Sequence, residues 1–135
     1  MMAKRKSRAL LKVLILDFDG VVVESNSIKT RAFEKVFARF PEHLDAMRAF
    51  HQAHVSASRY TKFGYLAELL GRNGDATLIA DLAADFSGRV MDEMKTVPMV
   101  NGAETFLAMV KGRLPIFLAS VTPEPELKHI LAERG

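Results

Sequence analysis

Cysteine is absent from the 135 residues. Disulfides and thiolate metal sites are thereby excluded, and a reducing compartment, the cytoplasm, is the expected location. Long apolar runs are missing too. None approaches the ~18 residues that span a bilayer, so no membrane partner is expected. The basic start followed by Ala9, Leu10 and Leu11 mimics a secretion signal. Lys12 interrupts it, and Asp17 and Asp19 follow with no small-residue cleavage site, so a tail leading into a first strand is expected instead. There is no internal repeat and no low-complexity segment. Charge of one sign is scarce: the net charge is only +3. Five basic residues fall within the first twelve (Lys4, Arg5, Lys6, Arg8, Lys12). A solvated tail is the plain reading, and an anion or nucleic-acid tether the alternative. The rest of the chain is nearly neutral, so a nucleic-acid-binding body is not indicated.

What is present is 49% hydrophobic and 26% charged, the balance of a soluble globular domain. The organising stretch runs from Val13 to Ser25. Val13 to Leu16 form an apolar run of the kind expected in a strand buried on both faces. Asp17 and Asp19 follow, two apart and so on the same side of an extended chain, then Gly20. Two close carboxylates either raise one pKa or share a cation. With Mg²⁺ beside them, one could attack phosphorus while the other carries the leaving group's proton. A plain turn and a calcium loop are the alternatives. The latter needs a helix in front and further oxygen ligands, and here the preceding run is apolar and β-branched.

From Asn26 to Val97 the apolar residues recur at helical spacing and no strand signal is found. Ser25, Asn26 and Ser27 are N-cap candidates, and Pro41 ends the first helix. A second helix is expected from Glu42 to about His54. His51 and His54 share a face, which reads either as a metal pair or as exposed and capping histidines. Ser58 is expected to cap a third helix on which Arg59 and Lys62 are neighbours. That pair reads equally as an anion clamp or as a surface basic pair. Asp75 is expected to cap a long helix whose Leu78, Ile79, Leu82, Phe86, Val90, Met91 and Met94 form a core stripe. About four helices result, enough for a small bundle. After Pro98, Asn101 and Glu104 suggest a capping box, and Gly112 a helix stop. Leu114 to Ser120 is a second short strand, and Thr122 with Pro123 marks another helix start. Ser120 at a strand end, with the backbone N–H groups of Val121 and Thr122 after it, makes a fitting phosphate site.

The segment Asp17-Phe-Asp-Gly-Val-Val-Val-Glu-Ser25 resembles the first signature of the haloacid dehalogenase superfamily, in its phosphatase branch. Ile116 to Pro123 resembles the second signature, and Val97 to Phe106 resembles phosphoglycolate-phosphatase-like members. The resemblance implies an α/β fold: a partial Rossmann-like core from residues 1–25 and 98–135, with residues 26–97 as an inserted α-helical cap. It implies Asp17 as nucleophile and Asp19 as general acid/base, with Mg²⁺ on the Asp17 side chain and the Asp19 carbonyl. It implies phosphate binding at Ser120, Val121 and Gly20, and substrate selection by cap residues Arg59 and Lys62. The substrate would be a small phosphorylated metabolite. A phosphomutase, and a non-catalytic binding module of the same family, are the competing readings. The family's later lysine and acidic pair find no match in this sequence, so a chain truncated before them is expected. A two-strand sheet would have bare edges, through which a second copy could pair.

Overall fold

The computed structural model describes residues 10–135. Lys4, Arg5, Lys6 and Arg8, expected in a solvated tail, lie outside them. In chain order the elements are β1 (Leu14–Asp17), α1 (Asn26–Phe37), a 3-10 turn (Pro41–His43), α2 (Leu44–Ala53), α3 (Arg59–Leu69), α4 (Ala76–Met94), α5 (Ala103–Val110), β2 (Ile116–Ala119) and α6 (Glu124–Arg134). They divide between two compact units. One comprises the chain up to Glu24 together with Pro98–Ser120, and the other Ser25–Val97 together with Val121–Gly135.

In the first unit β1 and β2 pair in parallel, with Leu14 opposite Ile116 and Asp17 opposite Ala119. Beyond the strand, the Val21, Val22 and Val23 N–H groups all turn back to the Phe18 carbonyl, at 3.4, 3.0 and 3.3 Å. A β-branched run that could have prolonged the sheet becomes a tight loop instead. The segment leaving that loop is stitched to the one that returns. Val23 bridges Met99 in antiparallel fashion. The Glu24 N–H donates to the Pro98 carbonyl at 3.0 Å, and the Val100 N–H to the Val22 carbonyl at 2.9 Å.

This arrangement corrects the expected fold class. A Rossmann-like α/β core is not what the chain forms: helices dominate, and the only sheet among the described residues has two strands of four residues each. Nor is β1 buried on both faces. Ile15 is 65% exposed and its register partner Phe117 57%. The cause is local. Outside these two short runs the apolar residues repeat at helical spacing, and the Val21–Val23 run is consumed by its turn.

The helical unit owes its core to that spacing. α1 buries Ile28, Ala32, Phe33, Val36 and Phe37. α4 buries Leu78, Leu82, Phe86, Val90 and Met94, a stripe with one residue every fourth position. α3 adds Phe63, Leu66 and Ala67, and α2 adds Met47. Phe33 is the hub, with the rings of Phe86, Phe37 and Phe63 at 4.2, 5.7 and 5.7 Å between centroids. Each such side chain fully buried contributes about 1.5–3 kcal/mol. α6 belongs to this unit. It buries Ile130, and the Arg134 Nη1 donates to the Met94 carbonyl at 2.9 Å.

Of the five helix starts proposed, Ser25 takes the capping position of α1 without a side-chain cap hydrogen bond, and two others behave as read. Ser58 Oγ accepts from the Thr61 N–H at 3.2 Å, and Asp75 Oδ1 from the Leu78 N–H at 3.0 Å. The other two do not. The residue capping α5 is Gly102, not Asn101, and its φ of +84° is one that a side chain disfavours. At α6 the capping position is Pro123 rather than Thr122. Thr122 is buried and accepts a hydrogen bond from Lys29 Nζ at 3.0 Å.

Candidate active site

β1 delivers Asp17 as its last residue, directly opposite Ala119 at the end of β2. Phe18 then turns inward and is fully buried, leaving Asp17 exposed and Asp19 half-buried on either side of it. The turn that follows requires Gly20: its φ is +74°, and its N–H donates to the Val23 carbonyl at 2.7 Å. Asp19 is thereby held where the extended chain stops.

Ser120 is the first residue past β2. Its hydroxyl donates to Asp19 Oδ2 at 3.3 Å. The two residues are 101 positions apart in sequence. The parallel pairing of β1 with β2 brings both strand ends, and hence both polar groups, to one edge of the sheet. Asp17, Asp19, Gly20 and Ser120 thus lie together in the first unit. Val121 is the next residue but falls in the helical unit, where it is 86% exposed.

Arg59 and Lys62 lie in the helical unit, and both are buried. The Arg59 guanidinium is engaged as a fork. Nη1 and Nη2 donate to the two Glu126 carboxylate oxygens at 2.9 and 3.0 Å, and Nη1 also donates to Ser87 Oγ. It lies 4.8 Å over the Phe86 ring. Lys62 donates to the Val55 carbonyl at 3.2 Å and stands 4.5 Å over the Phe33 ring. Neither side chain projects as the surface basic pair that the third helix suggested. Glu126 and Ser87 escaped the sequence reading because no local pattern ties them to Arg59. They are 67 and 28 residues away.

The two histidines make separate contacts. His51 packs its ring on Phe33, while His54 stacks on Phe50 with its Nδ1 3.0 Å from the Phe50 carbonyl. Among the described residues, no three His, Cys, Asp or Glu side chains come together as a ligand set. The strand-end pair offers carboxylate oxygens only. That donor set suits a small hard cation such as Mg²⁺, which typically takes one or two carboxylates and completes its shell with water and substrate phosphate. Among the described residues no helix is long and apolar enough to cross a membrane.

No protein-family model matches this chain, and no curated protein matches its sequence.

Proposed function

We propose that this chain is a Mg²⁺-dependent phosphomonoesterase that works through an aspartyl-phosphate on Asp17, as its resemblance to the haloacid dehalogenase superfamily implies. The observation that carries the reading is the Ser120–Asp19 hydrogen bond at the strand end that also bears Asp17. Two motifs far apart in sequence supply a nucleophile, a proton carrier and a hydroxyl donor to one sheet edge.

In this mechanism the exposed Asp17 carboxylate attacks the phosphorus of a small phosphorylated metabolite. The ester P–O bond breaks, and protonated Asp19 gives its proton to the departing alkoxide. Asp19, now a carboxylate, takes a proton from water as that water attacks the phosphoryl group on Asp17. The Asp17–phosphoryl bond breaks, inorganic phosphate leaves, and both residues return to their starting states. Ser120 transfers its hydrogen bond to a phosphoryl oxygen, which frees Asp19 for proton traffic. Mg²⁺, held by Asp17 and Asp19, would supply compensation for phosphate charge. The cytoplasm is the proposed compartment.

The test is hydrolysis of an aryl phosphate by this chain, with and without Mg²⁺, against Asp17→Asn. The expected result is turnover that needs the metal and drops at least about a thousand-fold in the variant, as for loss of a nucleophile. Turnover equal in both proteins would overturn the assignment of Asp17. A folded wild type without turnover would favour the non-catalytic binding module.

A further inference from the structure

Two basic groups sit against Phe33, the hub of the helical core. Lys62 is only 1% exposed. Its ammonium has one hydrogen-bond acceptor, the Val55 carbonyl, and the face of the Phe33 ring. The His51 ring lies 5.0 Å from Phe33 and 6.4 Å from Phe37. Its Nδ1 is buried with no hydrogen-bond partner. A buried cation with a single neutral acceptor is poorly compensated, and an orphaned ring nitrogen is costly as well.

The nearby carboxylates are committed elsewhere. Glu34 of α1 takes Arg48 of α2 in a two-pronged pair, at 2.9 Å on each oxygen. On α3 the other basic group, Arg59, is closed by Glu126 of α6, and the Glu68 carboxylate is exposed. Asp85 of α4 is shared between Arg39 and Arg89, at 2.8 and 2.7 Å. Among the described residues no carboxylate pairs with Lys62 or His51.

We propose that Lys62 and His51 form a proton-sensitive latch in the helical core. Protonation of His51 beside the Lys62 ammonium puts two positive charges into one aromatic pocket and loosens α2 and α3 from α1. Burial first, and the Lys62 charge second, hold the His51 imidazole below its ordinary 6.5, against a smaller opposing pull from Glu34. Burial likewise holds the Lys62 ammonium below its ordinary 10.5. Folding therefore expels protons at both groups, so stability rises with pH through each window and falls as pH drops. For His51 the window lies below pH 6.5. The Lys62 charge already acts on the His51 imidazole, so the second charge is the one that arrives on His51.

The test combines thermal unfolding of the full chain at pH 7.5 and 5.5 with an NMR titration of the His51 ring. It uses wild type, Lys62→Met and His51→Gln, the last also assigning the His51 signal. The wild-type melting temperature should fall by about 4 °C or more between the two pH values. The fall should shrink in Lys62→Met, which leaves only the burial of His51, and shrink most in His51→Gln, which removes the titrating group. The His51 midpoint should lie below 6.5 in wild type and move up in Lys62→Met. A wild-type midpoint at or above 6.5, or an equal fall in all three proteins, overturns the latch. Should Lys62→Met fail to fold, the wild-type midpoint and the His51→Gln melt decide between the same outcomes.

Discussion

Arg59 illustrates how a residue's role is set by partners distant in sequence. Its fork closes on Glu126, and its plane covers Phe86. Removing it strands a partly buried carboxylate and bares an aromatic face. Arg59→Ala should therefore destabilise the helical unit by about 3 kcal/mol, read from urea unfolding followed by helical circular dichroism. An effect below ~1 kcal/mol, the worth of an exposed pair, would mean that the buried pair is not formed in solution. Other residues were legible from sequence because their chemistry is local. Ser58 and Asp75 preceded helical periods at cap spacing. The Ser120–Asp19 contact was legible only through its two motifs, since nothing near either residue encodes the other. Lys62 was misleading for a related reason: its neighbour spacing to Arg59 described a helix face without saying which face packs inward.

Among the elements, α4 is the most fully specified. Its stripe of apolar residues fixes the buried face, and Asp75 fixes its start. The Asp75 carboxyl is held below its ordinary 3.8, chiefly by the Leu78 N–H and next by Arg72. A depressed carboxylate contributes stability that is complete above its unfolded value and lost as pH falls through the folded one. The first turn of α4 should therefore fray below about pH 3.8. In Asp75→Asn, which still caps but cannot titrate, that acid-dependent step should vanish. Amide exchange at Leu78 measures it, and an unchanged acid profile in the variant would exclude Asp75 as its source. The surroundings of the sheet were the least legible part. Two apolar runs announced strands, but whether further strands flank them depends on residues whose helical spacing points the other way. The two-strand sheet itself was legible, whereas the expectation of a partial Rossmann-like α/β core leaned on resemblance and outran what those two runs support.

At the scale of the molecule, the two units differ in how they are held. Lys62, Phe63, Leu66 and Leu82 are almost wholly inaccessible in the helical unit, whereas Ile15 and Phe117 stand largely in solvent. Stability follows burial, and regions with few buried contacts open first. Backbone amides of β1 and β2 should therefore exchange at least about tenfold faster than those in the middle of α3 and α4 at neutral pH, each normalised to its intrinsic rate. Equal protection would mean that both units open only in one global event. The stitch joining Val22–Glu24 to Pro98–Val100 bears on the order of assembly. Pairing β1 with β2 directly means closing a loop of about a hundred residues, an entropic cost that must be met before the short strands gain anything. Helices form on local contacts, and once the intervening segment has compacted, its two ends can find each other at the stitch and the remaining closure is short. On this argument the chain should fold from its middle outward, with Asp19 meeting Ser120 last. A nascent chain would bring Asp19 and Ser120 together only after most of its helices are in place.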